Sequence, residues 1–237
     1  MNPELFLFDY GNTLVTEQDW NAENGNKALL KSAGFEDPEL LSRIIEYGKT
    51  NLLPKIKDMR ENNIEVSGAA YSRALFGNFG INLDMSDEEI ERIFWYAASK
   101  GEAVDGAEAL LTFLDENKIR TGIISNMMWS GKVLRKRLER IFPIHRFDFI
   151  LTSADYIYRK PDPCMFNIAA LLSKTDKSRI LYCGDNPEAD IEGAAKVGIF
   201  PIFFRNDYDS RSYGSDKTPE CEYTEINKLN QIKDLID

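Results

Sequence analysis

Asp9, Ser125, Lys160 and Asp185 lie far apart in the chain, and each follows or adjoins an apolar run. Leu-Phe-Leu-Phe at 5–8 stops at Asp9, and Thr-Gly-Ile-Ile at 121–124 stops at Ser125 and Asn126. Ile-Leu-Tyr-Cys-Gly at 180–184 stops at Asp185, with Asp190 following, and Lys160 precedes Pro161-Asp162-Pro163. A carboxylate can attack phosphorus or ligate a hard cation. A hydroxyl with exposed amides holds phosphate oxygens, and an ammonium neutralises them. The combination suits a phosphate ester and a divalent cation. Singly, each residue has an ordinary use: a capping aspartate, a Ser-Asn turn, a solvated lysine. Together they converge, because ligands in open α/β sheets sit outside the carboxyl ends of the strands.

The elements that must carry these groups are short buried strands. Apolar runs at 5–8, 121–124, 147–151, 180–183 and 200–204 alternate with helical patterns, which predicts a parallel sheet with helices on both faces. Between residues 14 and 102 no such run appears. Helical spacing occurs there at 24–32, 38–52, 69–79 and 86–99, the last opening on the capping box Ser86-Asp87-Glu88-Glu89. This pattern predicts an α/β core of residues 1–15 and 101–237, interrupted by an all-helical domain at 16–100. Asp105 is a plausible N-cap for a helix at 106–117, and Asp162-Pro163 opens another. A helix at 187–197 stops at Gly198. The polar stretch 206–222 reads as a surface loop before a short helix at 226–235.

The charge balance, 29 basic against 39 acidic residues for a net −10, argues against nucleic acid or an anionic membrane as partner. Three cysteines without ligand spacing fit a reducing, cytoplasmic setting. The start of the chain lacks the basic segment of a signal peptide, and no stretch reaches membrane-spanning length. His145 is the sole histidine, which speaks against a triad and rules out a multi-histidine metal site. Nothing in the pattern sets an oligomeric state.

With these motifs in order, the chain resembles the haloacid dehalogenase (HAD)-like hydrolase superfamily, in the branch with a helical cap inserted after the first strand. The resemblance spans Asp9 to Asp190 and implies a Rossmann-like core. It implies Asp9 as the nucleophile of an aspartyl-phosphate, and Ser125, Asn126 and Lys160 around the phosphoryl group of a small phosphorylated substrate. It implies Mg²⁺ on Asp9, Asp185, Asp190 and the Gly11 carbonyl. One departure stands out: family phosphatases carry an acid/base aspartate two residues after the nucleophile, where this chain has Gly11. Losing a general acid costs about 10²–10⁴-fold. Glu17 and Asp19 are the nearby substitutes. The departure keeps two other readings open, a weakly active or non-catalytic phosphate-binding regulator and a carbon–halogen hydrolase. Trp20 is the aromatic best placed for substrate contact, whereas Met127, Met128, Trp129, Phe94 and Trp95 read as packing.

Overall fold

The structure, a computed structural model, describes residues 2–205 and 217–236. In chain order the strands are β1 (Leu5–Phe8), β2 (Val15–Thr16), β3 (Glu102–Ala103), β4 (Arg120–Ser125), β5 (Phe149–Thr152), β6 (Ile180–Gly184), β7 (Phe200–Phe204) and β8 (Thr224–Ile226). Six of them form one sheet in the order β5-β4-β1-β6-β7-β8, and every pairing in it is parallel. β1 lies between β4 and β6 and is buried along its whole length. Its alternation sends Phe6 and Phe8 into one apolar cluster and Leu5 and Leu7 into another. A strand covered on both faces must be apolar at every position, which is why its run is continuous and ends where Asp9 emerges.

The ten α-helices of the described residues begin with five between β2 and β3. These are α1 (Ala22–Ser32), α2 (Pro38–Tyr47), α3 (Leu53–Glu61), α4 (Gly68–Gly77) and α5 (Asp87–Ala98). The rest are α6 (Ala107–Glu116), α7 (Gly131–Ile141), the one-turn α8 (Ser153–Tyr156), α9 (Pro163–Ser173) and the short α10 (Gly193–Lys196). Leu110 and Leu114 of α6 and Val133 and Leu138 of α7 cover the Phe6 face, and Met165 and Phe166 of α9 cover the Leu5 face. The Rossmann-like α/β architecture is thus the one the sequence implied. Among the described residues no helix is long and apolar enough to cross a membrane.

Several elements differ from the sequence expectation. The helix expected at 38–52 stops at Tyr47, passes through a π-turn at Gly48–Leu52, and resumes as α3, where Pro54 occupies the tolerant first turn. α7 was unforeseen because six charged residues mask its buried Val133, Leu134 and Leu138. Asp105 does not cap α6. Gly106 takes the N-cap position in the left-handed region, φ 81°, with no side-chain cap bond. The 187–197 segment is a π-turn, Pro187–Glu192, followed by α10, with Gly198 at φ 83° behind it. β8 buries only Ile226 and so left no apolar run. The terminal helix is a 3₁₀ segment, Leu229–Leu235. Most of the loop expected at 206–222 lies outside the described residues.

The antiparallel β2–β3 ribbon was also unforeseen. It pairs Val15 with Ala103 and Thr16 with Glu102, so the chain enters and leaves the helical segment side by side. Beneath it lies Arg137, fully buried on the otherwise charged α7. Its Nε donates to the Tyr10 hydroxyl at 2.9 Å, and its Nη2 donates to Glu17 Oε1 at 2.8 Å and the Ser99 carbonyl at 3.0 Å. The guanidinium also sits 4.3 Å from the centroid of Trp95. One arginine therefore ties α7 to the loop after β1 and to the end of α5.

Candidate active site

Parallel pairing delivers the site residues to one edge. The amide of Asp9 still donates to the Cys183 carbonyl at 2.9 Å, so the carboxylate leaves the sheet beside the end of β6. Lys160 reaches the same point from the loop before α9. Its Nζ lies 2.7 Å from Asp9 Oδ1, 2.6 Å from Asp190 Oδ1, 2.8 Å from the Ile124 carbonyl and 2.6 Å from the Tyr182 hydroxyl. An ammonium has three protons for these four oxygens. The Tyr182 hydroxyl in turn donates to Asp190 Oδ1 at 2.8 Å. Ser125, at the tip of β4, hydrogen-bonds the Asp9 carboxylate.

The loop after β6 is shaped by Gly184. A Cβ there would stand 2.4 Å from Asp190 Cγ, so only glycine lets Asp190 fold back against the strand. The Asn186 side chain accepts from the amides of Glu188 and Ala189, at 3.1 and 2.8 Å. The Asn186 amide donates to Asp190 Oδ2 at 3.0 Å. Both Asp190 oxygens are therefore committed. Asp185 is approached by the side chain of Asn12, which itself takes a positive φ of 53°.

Asp9, Asp185 and Asp190 place ligand oxygens within 4.8 Å of one another. One ammonium faces three carboxylates, which leaves two negative charges uncompensated. The consequences appear in their acidities. Burial, and then the neighbouring Asp190 and Asp9, push Asp185 well above the ordinary aspartate value. Burial also raises Asp9, with Lys160 opposing it and Asp190 adding to it. Burial disfavours the Lys160 ammonium, but Asp190 and Asp9 outweigh it and lift Lys160 above the usual lysine value. An all-oxygen set with a two-charge excess fits a hard divalent cation. Asp9 and Asp185 are the carboxylates best able to ligate, because Lys160, Tyr182 and the Asn186 amide already occupy Asp190.

The expected residues therefore meet, with one difference of detail. The Asn126 side chain does not face the cavity: its Nδ2 donates to the Lys160 carbonyl at 2.8 Å and its Oδ1 accepts from the Lys160 amide at 2.7 Å. What Asn126 offers a ligand is its main chain. Gly11 lies beside Asp9 without a positive φ, and a Cβ there would meet only Asp9 Oδ2, at 3.9 Å. Tyr182 was missed, because within an apolar strand it reads as core.

Two hollows open from Asp9 and Asn126. The smaller, about 350 Å³, is lined by Gly11, Glu17, Trp20, Trp95, Met127 and Trp129 among others. Trp20 is 44% exposed, as befits a contact residue, whereas Trp95 and Trp129 stack with centroids 5.6 Å apart. Glu17 Oε1 accepts from the Tyr10 hydroxyl at 3.0 Å and Trp95 Nε1 at 2.8 Å, besides Arg137. Burial, opposed by Arg137, raises its pKa above the usual glutamate value. Asp19 behaves oppositely. Bonds from the Ser99 hydroxyl at 2.6 Å and the Lys100 amide at 3.0 Å lower its value. The larger hollow, about 1020 Å³, runs past Lys160 and Asp185 to α3.

This fold and site coincide with a known class. The sequence profile of the haloacid dehalogenase-like hydrolases matches residues 7–204, and the chain belongs to that family. It is 25% identical over 246 aligned positions to the ribulose-1,5-bisphosphate 5-phosphatase of Halopiger xanaduensis, covering 97% of this chain and 98% of that one. It is 31% identical over 101 residues to haloacid dehalogenase-like hydrolase domain-containing protein 3 of Bos taurus. That match spans 43% of this chain and 39% of the bovine protein. A HAD phosphatase from Thermococcus onnurineus superposes with a TM-score of 0.63 at 18% identity, over 99% of this chain and 97% of the other, and so shares the fold.

Proposed function

We propose that the protein is a Mg²⁺-dependent phosphohydrolase acting on a small phosphorylated metabolite through an aspartyl-phosphate on Asp9. The observation that carries this reading is the meeting of Asp9, Asp185 and Asp190 around one ammonium, with two negative charges in excess. The name of the full-length Halopiger relative, a phosphatase, supports it. The same excess calls for a bound cation, which carbon–halogen cleavage by a carboxylate does not need, and so speaks against that reading. Residues 1–15 and 101–237 act as the core and 16–100 as a cap, and the β2–β3 ribbon is the crossing between them.

In the first step an Asp9 oxygen attacks phosphorus in line with the leaving oxygen, whose bond to phosphorus breaks. The Ser125 hydroxyl and the Lys160 ammonium hold the transferring oxygens. Asp9, Asp185 and the Gly11 carbonyl would hold Mg²⁺, with Asp190 supporting them through Lys160. Bound there, Mg²⁺ supplies charge neutralisation for the phosphoryl group. Water then cleaves the Asp9–phosphorus bond and restores the carboxylate. The decisive measurement is phosphate release from a panel of esters with and without Mg²⁺. Release that depends on Mg²⁺ in the wild type and is lost in Asp185→Ala is the expected result. Equal release by that variant in a chelator overturns the assignment.

Glu17 takes over the proton transfer that Gly11 cannot perform. It lines the hollow that opens from Asp9, and burial raises its pKa, which favours the protonated form a general acid needs. Asp19, held ionised by Ser99 and Lys100, does not. Glu17→Gln should slow alkyl phosphates by about 10²-fold while leaving aryl phosphates, whose leaving groups need no proton, nearly unchanged. Space at Gly11 predicts that Gly11→Asp folds and partly restores alkyl turnover in that background. Equal slowing of both ester types by Glu17→Gln would assign the residue to structure alone.

A further inference from the structure

We propose that the larger hollow selects substrates carrying a second anionic group, a phosphate or carboxylate, away from the phosphoryl group that reaches Asp9. The inference rests on the phosphohydrolase reading and names its substrate class. The protein carries a net charge of −10, yet much of the wall of this hollow is cationic. Lys49, Lys57, Arg60, Arg159 and Lys217 line it, against Glu61 and Glu188.

The local pairings leave most of that charge in place. Lys57 lies 3.8 Å from Glu61 and Lys217 lies 3.9 Å from Glu188, long contacts between exposed groups that bind weakly. Arg60 and Arg159 share a single carboxylate, the buried Glu65: Arg60 Nε and Nη2 lie 3.1 Å from Oε1, and Arg159 bonds Oε2. Two guanidiniums on one acid gain a fixed position. Lys49 stands exposed on the π-turn just before α3. The sign of the wall therefore reverses along the hollow. Near Asp185 it is negative and calls for a cation, while at α3 it is positive and calls for an anion.

Leu53, Pro54 and Ile56 add apolar wall among these cations. A short carbon skeleton with two anionic ends matches these surfaces. A monophosphate with a neutral tail would leave the cations solvated and unused. The volume of about 1020 Å³ admits a metabolite with both groups. In a chain this acidic, a cationic stretch of cleft wall also steers such a ligand inward.

The test compares propyl phosphate with the bisphosphate of propanediol, using wild type and a Lys49→Ala/Lys57→Ala variant with Mg²⁺ present. Both lysines are exposed, and neither touches Asp9, so the variant should hydrolyse para-nitrophenyl phosphate as the wild type does. KM for the bisphosphate should be about tenfold lower than for propyl phosphate, and the variant should lose most of that difference. Raising the salt concentration should shrink it in the wild type. Equal KM values in the wild type, or a preference untouched in the variant, overturn the proposal while para-nitrophenyl phosphate turnover leaves the phosphohydrolase reading standing. If no ester is hydrolysed, that reading fails. Calorimetric binding of the bisphosphate to wild type and variant then decides the cleft by itself: tighter binding to the wild type supports it, and equal binding overturns it.

Discussion

Replacing Asp9 by asparagine should lower phosphate release by about 10⁴-fold or more, the scale seen when a covalent nucleophile is removed. The substitution keeps the shape of the side chain and its bond to Ser125, so the loss reports the attacking charge. The fold should not suffer. Burial raises the Asp9 pKa in the folded protein, so the folded state holds its proton to higher pH than the unfolded chain does. Stability therefore falls as pH rises from the unfolded value, about 4, through the higher folded value. Asparagine carries no such charge, and Lys160 retains Asp190 as its partner at 2.6 Å. In a chelator at neutral pH, Asp9→Asn should melt at or above the wild-type temperature, and the gap should close below about pH 4. An inactive but fully stable variant separates chemistry from folding. A folded variant that still turns over substrate would remove Asp9 from the role of nucleophile.

The parts of this molecule legible in its sequence are those where one local pattern has one physical cause. β1, β4 and β6 are buried on both faces, so their runs are apolar throughout, and each stops where a polar group must leave the sheet. Ser86 and Glu89 announce the start of α5, because their reciprocal bonds, 3.3 and 3.0 Å, need only that spacing. The motif residues followed from these ends. What stayed hidden depends on partners distant in the chain. Tyr182 differs from a core tyrosine only because Lys160 and Asp190 arrive beside it. Arg137 sits in a helix whose charges predict exposure, and only the meeting of Tyr10, Glu17 and Ser99 explains its burial. Asn126 reads as a phosphate-loop residue until its clamp on the Lys160 main chain is seen. The cationic wall is spread over α3, the loop before Lys160 and residue 217, so no single window of sequence shows it.

Lys160→Met should be the most disruptive single change at the site, for reasons of charge. Methionine keeps the length and apolar stem but removes the ammonium that joins Asp9, Asp190, Tyr182 and the Ile124 carbonyl. Three buried or partly buried carboxylates then face no cation. Stripping one partner from a buried pair costs about 3–5 kcal/mol, because the remaining charge is left in a poor solvent. Unfolding in urea with a chelator at neutral pH should show a loss of that order. The pH dependence has a definite sign. Without Lys160, Asp9 loses the attraction that opposes its burial, so its folded pKa climbs further above the unfolded one. The deficit is then full above the folded value and disappears as pH drops below the unfolded value, where both states are protonated. Mg²⁺ should restore much of the stability at neutral pH, since a more negative site attracts the cation more strongly. It should not restore catalysis. The phosphoryl group loses a preorganised positive partner, worth about 10²–10³-fold in rate, and the acidic limb of the activity profile moves to higher pH along with Asp9. A Lys160→Met protein as stable as wild type in chelator, with its pH profile unmoved, would mean that Asp9 and Asp190 are balanced by something other than this ammonium.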